Sequence, residues 1–307
     1  MKSGRAEMER RDFLKTSVGI VGTCSLLSTI PHIYSQSQNP DLVVVNNGDP
    51  ENLVKRAIQE LGGMSHFVNK GDIVVIKPNI SWDRLPEQAA NTNPEIVAEV
   101  VKLCLDAGAK KVKIFDNSLN EPRRCYDRSG IEKAAKEAGA EVYHVQESRF
   151  KKVNIEEGKL IKSWELYQDV LEADRVINLP IAKHHTISGL SLSMKNVMGF
   201  IGGNRGLIHR QFDIKITDLN TKIKSDLIIL DAYRMLLRNG PSGGNLTDVE
   251  LKKTVIMGTN PVSIDSFGAT LFHLQPEKIG FLQEAYNRGL GEIDLKKLNI
   301  KMVSLEV

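Results

Sequence analysis

The densest chemistry lies in one stretch, residues 183–210, reading KHHTISGLSLSMKNVMGFIGGNRGLIHR. Lysine ammonium groups neutralise bound anions, and imidazole exchanges protons near neutral pH. Lys183, His184, His185 and Lys195 are therefore the candidate catalytic residues. His184 and His185 are adjacent, so in an extended segment they point to opposite sides and one of them faces a site. A helix starting at Leu190 would place Leu190, Met194, Val197, Met198 and Ile201 on a core stripe. Ser191, Lys195, Gly199 and Gly202 would then form a second row. Small residues around a lysine let a ligand approach the backbone closely. Ser191 and Asn196 join the set as substrate contacts, and His209 reaches in across the loop 202–206 as a metal candidate.

The other polar groups follow apolar runs. Residues 73–76 lead into Lys77-Pro78-Asn79, and 112–115 into Asp116-Asn117-Ser118. Residues 175–179 precede Lys183, 227–230 end in Asp231, and 254–257 run into Gly258-Thr259-Asn260. A charge directly after a buried strand is costly unless it is used. Lys77, Asn79 and Ser118 are thus expected to bind substrate, while Asp116 and Asp231 orient a base or join His209 at a metal. No H-E-x-x-H occurs, and neither glycine loop, 202–206 or 239–244, fits a phosphate-binding fingerprint after a strand.

Positioning these groups requires strands alternating with helices. Runs 42–45, 73–76, 112–115, 142–145, 175–179, 227–230 and 254–257 read as near-continuously apolar strands. Between two of them, Val97, Val100, Val101 and Cys104 recur at helical spacing, with Asn93 as N-cap, Pro94 in the first turn and Gly108 as the stop. The pattern predicts an α/β fold, doubly wound, with a mostly parallel sheet covered by helices on both faces. In such a sheet, ligands sit outside the carboxyl ends of the strands. Thr92-Asn93-Pro94 echoes Thr259-Asn260-Pro261, which admits two related halves. Residues 148–169 read as a hairpin or excursion.

Composition narrows the function classes. The 307 residues are 41% hydrophobic and 26% charged, enough for a globular core. The net charge is +3, falling to +1 without the first 37 residues, which argues against nucleic acid as a partner. Three cysteines without a C-x-x-C pair leave no expectation of an iron-sulfur cluster or a Cys-based zinc site. No apolar run reaches transmembrane length, so no stable transmembrane span is expected.

The first 37 residues read as a separate segment, with the α/β domain over 38–307. Arg10-Arg11-Asp12-Phe13-Leu14-Lys15, followed by a short apolar run, resembles the twin-arginine export signal. This implies passage through the twin-arginine translocon to the periplasm or another exported location.

The blocks IKPN (76–79), TNPEIVAEVVKLCLDAGAKKVKIFDNS (92–118), ADRVINLPIAKHHTISGLSLSMKNVMGFI (173–201), SDLIILDAY (225–233), GPSGG (240–244) and TNPVSIDSFGATLF (259–272) are similar to the domain of unknown function 362 family. Many relatives add a ferredoxin-like module with cysteine-rich motifs, which this chain lacks. The order His185, Gly189-Leu190-Ser191, Lys195, Gly199, His209 also resembles the nickel-pincer lactate racemases. That likeness implies a cofactor-tethering lysine at Lys195 and histidines acting as acid/base or metal ligand. Together these readings point to an exported enzyme moving a proton on a small carboxylate-bearing anion. Its reaction class is open between isomerase or racemase-like and redox chemistry. A non-catalytic periplasmic binding or accessory protein is the alternative.

Overall fold

The structure, a computed structural model, describes residues 39–305; the export segment expected over 1–37 lies outside the described residues. Twelve strands are present among them: β1 Leu42–Asn46, β2 Ile73–Pro78, β3 Lys111–Ile114, β4 Glu141–Val142, β5 Phe150–Asn154, β6 Ser163–Tyr167, β7 Arg175–Leu179, β8 Ile181–His185, β9 Gly189–Ser191, β10 Leu227–Leu236, β11 Val249–Gly258 and β12 Ile300–Ser304. The helices are α1 Pro50–Glu60, α2 Pro94–Asp106, α3 Pro122–Arg128, α4 Ile131–Glu137, α5 Gln168–Glu172, α6 Ser193–Asn196, α7 Phe212–Lys222, α8 Pro261–Thr270 and α9 Gly280–Asn287.

One sheet runs in the order β12-β1-β11-β10-β7-β2-β3-β4, with β8 pairing β10 and β9 pairing β8. From β10 to β4 every neighbour is parallel. β11 is antiparallel to both β10 and β1. The protein is therefore α/β with a mostly parallel sheet, as the sequence pattern predicts. Chain order reverses across the sheet at β2, which has β3 on one side and β7 on the other. That is a topological switch point, where the loops leaving the strands diverge and open a crevice.

Alternation along the strands supplies both faces. Val74 and Ile76 of β2 pack with Val97, Val100, Val101 and Cys104 of α2, and with Leu53 and Ala57 of α1. Val75 turns the other way, into a core with Met194, Phe212, Ile216 and Phe281. Lys77, two residues beyond Val75, emerges on this second face, beneath α6. The Asn93 side chain caps α2 by accepting from the Glu95 N–H, and Asn260 caps α8 in the same way. The echo between them ends there, because Asn260 follows antiparallel β11.

Three sequence expectations need correction. Because β11 runs against its neighbours, Gly258-Thr259-Asn260 lies at the opposite edge from the ends of β2, β3 and β7. β10 does not end at Asp231 but continues to Leu236 through a bulge between Ala232 and Arg234. Lys183, His184 and His185 sit within strand β8, paired with β9, the extended segment expected for the two histidines. No helix starts at Leu190: β9 covers it, α6 is one turn long, and Val197–Phe200 is a 3-10 turn. The excursion over 148–169 contains an antiparallel hairpin, β5 with β6.

Candidate active site

At the switch point Asn196 plugs the crevice between β2 and β7. Its Nδ2 donates to the Lys77 carbonyl at 2.9 Å and to Asn178 Oδ1 at 2.8 Å. Its Oδ1 accepts from Lys77 Nζ at 3.1 Å and from Asn79 Nδ2 at 3.2 Å. This fixes α6, whose N-terminus is held by a buried carboxylate. Asp265 of α8 accepts the Ser193 and Met194 N–H groups at 2.7 and 2.9 Å. Burial pushes the Asp265 carboxyl up to about 7 against those bonds.

Lys77 is fully buried and forms an ion pair with Asp116 at 3.0 Å. The second Asp116 oxygen accepts from the Ile80 N–H at 2.6 Å and from Ser81 Oγ at 3.2 Å. Burial lowers the Lys77 ammonium, and the Asp116 charge opposes this. Gly199 passes directly over the pair: a Cβ there would overlap both the Asp116 carboxylate and the Lys77 side chain. Glycine is required for that close approach.

A cavity of about 110 Å³ opens above this layer. Lys77, Asn79, Asp116 and Asn196 form its floor, with His185, Ser191, Lys195, Arg205 and His209 around it. Two of its cations have no carboxylate within ion-pair distance among the described residues. Lys195 Nζ is 3.8 Å from Met198 Sδ and 6.0 Å from the centre of the Phe212 ring. Burial, with Arg205 and Lys77 nearby, lowers Lys195 to about 8. Arg205 donates only to backbone carbonyls, those of Asn117 at 2.6 Å, Ser118 at 3.2 Å and Met198 at 3.4 Å.

The two cavity histidines differ. His185 Nδ1 accepts the backbone N–H groups of Ile187 at 3.1 Å and Ser188 at 3.2 Å. Burial first, then the charge of Lys195, drops His185 to about 2, so it is neutral at physiological pH. The His209 ring stacks on it with centroids 5.5 Å apart and planes 13° from parallel. His209 Nε2 is buried and has no hydrogen-bond partner among the described residues.

Several expected site residues lie elsewhere. Lys183 lies one layer below, fully buried, donating to Asn79 Oδ1 at 3.0 Å and to the Ala90 carbonyl at 2.5 Å. Burial holds it well below the usual lysine range. His184 faces away, its Nδ1 accepting the Gly240 N–H at 3.2 Å. Ser118 spends its hydroxyl on the Ile80 carbonyl at 2.5 Å. Asp231 is a structural clamp whose oxygens accept the Asn93 and Tyr233 N–H groups at 2.7 and 2.9 Å. The metal trio His209, Asp116 and Asp231 is therefore not assembled, and no cluster of three such ligands exists among the described residues. Lys195, the tether that the racemase resemblance implies, borders the cavity without an ion-pair partner among the described residues. Sequence reading missed Arg205 as a site residue and Asp265 as the support of α6. Only the glycines flanking Arg205 hinted that this loop approaches a ligand.

A larger groove of about 500 Å³ lies at the start of α1, lined by Lys55, Arg56 and Lys253 among others. There Lys55 pairs with Glu51 and Glu99, and Arg56 with Glu60. Its positive charge is mostly spent internally, unlike that of the smaller cavity.

A family model described as "Domain of unknown function (DUF362)" matches residues 74–270, which contain every residue of this cavity. The chain belongs to the DUF362 family. A thylakoid-associated protein of Synechocystis sp. is 26% identical over 206 residues, which is 64% of this chain and 63% of that protein. The match thus spans less than two thirds of that relative. Among solved structures, the lactate racemase apoprotein of Thermoanaerobacterium thermosaccharolyticum overlays with a TM-score of 0.44 at 14% identity. That overlay covers 75% of this chain and 56% of the racemase. A structural-genomics protein of Thermotoga maritima overlays at 0.43 and 11% identity, over 74% and 60%.

Proposed function

We propose that this DUF362 protein binds a small carboxylate-bearing anion in the switch-point cavity and moves a proton on it. Lys195 and Arg205 hold the charge, Asn79 and Ser191 orient the molecule, and the histidine pair handles the proton. The observation that carries the reading is the pair of cavity cations, Lys195 and Arg205, without a carboxylate partner among the described residues. Lys77 and Asp116 cancel each other, so the two free cations leave a net charge that a bound anion would balance. Arg205 keeps a permanent charge, because the carbonyls that accept from it do not neutralise it.

Malonate, a compact dianion, is the probe. Calorimetric titration of the full chain should show saturable one-to-one binding, lost when Lys195 and Arg205 are both replaced by Met. Absence of saturable binding by wild type removes the reading. Replacing His185 and His209 together separates an enzyme from a binding protein: binding kept with turnover lost supports catalysis. Export through Arg10-Arg11 belongs to the same proposal and would put this chemistry outside the cytoplasm.

A further inference from the structure

Resting on that reading, the hydrogen bonds around the two stacked imidazoles assign them different work. A ring nitrogen that accepts two N–H groups must present its lone pair to them. The backbone N–H groups of Ile187 and Ser188, in the turn between β8 and β9, both point at His185 Nδ1. The neutral ring therefore carries its proton on Nε2. Protonating Nδ1 would break both bonds and set an imidazolium beside Lys195 in a buried site. His185 is thereby fixed as a hydrogen-bond donor.

His209 has the complementary arrangement. Its Nε2 is buried without a partner among the described residues, while the Gly206 backbone favours the protonated ring against burial and Lys195. With Nε2 unpaired, that proton belongs on Nδ1, leaving the Nε2 lone pair free. A buried acceptor left unsatisfied is costly, and a ligand's acidic hydrogen would satisfy it. Both rings border the same cavity and lie nearly parallel, so donor and acceptor address one bound molecule.

We propose that His209 Nε2 is the proton acceptor of the site and that His185 Nε2–H is a fixed donor to a ligand oxygen. The pair would then act in one direction rather than as two interchangeable bases. The chemical class this fits is a small carboxylic acid with a carbonyl oxygen next to a C–H bond. In the step, that C–H bond breaks and its proton forms an N–H bond on His209. The electron pair moves through the adjacent carbon onto the carbonyl oxygen as an enolate. That oxygen accepts the His185 N–H and faces the Lys195 ammonium. Return of the proton from His209 restores the ring, so no oxidant or reductant is consumed.

The test is nitrogen NMR of the full chain labelled in histidine, with His185→Gln and His209→Gln spectra identifying the two rings. The proposal expects His185 to show a bare Nδ1 and a protonated Nε2, and His209 the reverse. Adding malonate should perturb the His209 Nε2 and His185 Nε2 signals together. A second readout is loss of the pyruvate methyl proton signal in heavy water. His209→Gln should reduce enzyme-dependent exchange at least a hundredfold. His185→Gln, which keeps an amide N–H near the Nε2 position, should retain a measurable part of it. A proton on His185 Nδ1, the same tautomer on both rings, or exchange that survives His209→Gln would overturn the assignment. So would malonate that binds without moving either ring, or pyruvate that binds without exchange in wild type. Failure of malonate to bind at all, with the tautomers as stated, would instead count against the anion-binding reading.

Discussion

Replacing Lys195 with Met should make the protein more stable and less able to bind its ligand, an opposite pair of effects that a structural lysine would not give. Lys195 falls from 10.5 to about 8, mainly through burial. At about 1.36 kcal/mol per unit, the charged form costs ~3 kcal/mol in the folded state. Partial exposure of the side chain trims this, and the Phe212 contact returns ~0.5–1 kcal/mol. Methionine keeps the apolar stem, so a gain of ~1–2 kcal/mol at neutral pH remains. The sign follows from the folded pKa lying below the unfolded one. The penalty is complete below about 8, where both states are charged, and it fades as pH rises toward 10.5, where both become neutral. The advantage of the variant should shrink over that window. Loss of a charge from a desolvated anion site weakens binding by ~2–5 kcal/mol, roughly thirtyfold to several thousandfold. Denaturant unfolding with and without malonate measures both quantities, because ligand stabilises only the folded form that binds it. A variant that is less stable than wild type and equally stabilised by malonate would refute the reasoning.

Gly199→Ala should destabilise by ~3 kcal/mol, since its methyl group displaces the Lys77–Asp116 ion pair; denaturant unfolding checks it. Asp265, raised from 3.8 to about 7, favours folding below the unfolded value and loses that contribution as pH rises through the folded one. Wild type should therefore lose stability between those pH values, with a flatter slope in Asp265→Asn, measured by unfolding at several pH values. Replacing Arg10 and Arg11 with Lys should retain the precursor in the cytoplasm, which cell fractionation reads directly.

The parts of the site legible in the sequence were those where a local conflict marked them. Lys77 and Asp116 follow apolar strands with a charge that no strand needs, and both reach the cavity. Lys195 stood among small residues, and the groove this implied exists at Ser191 and Gly199, although no continuous helix creates it. Gly202 lies instead against Phe150 and Glu165. The helix was misread because 3.6-residue spacing recurs across a strand, a single α-turn and a 3-10 turn. Asp231 was misplaced because a bulge lets β10 run past it. The direction of β11 depends on pairing with residues far along the chain, which no local pattern encodes. Arg205 escaped notice for a related reason: a loop arginine is ordinary until the fold turns it toward carbonyls over a cavity. Asp265 looked like one more polar residue on α8, and its role appears only once α6 packs against it.

The most direct measurement is a hydrogen-exchange map of the full chain with and without malonate. Joint protection is expected at 77–79, 116–118 and 191–199, extending to 205–209, because these segments surround one cavity at the β2–β7 crevice. Protection confined to the groove at 47–59 and Lys253, with none at the switch point, would contradict it.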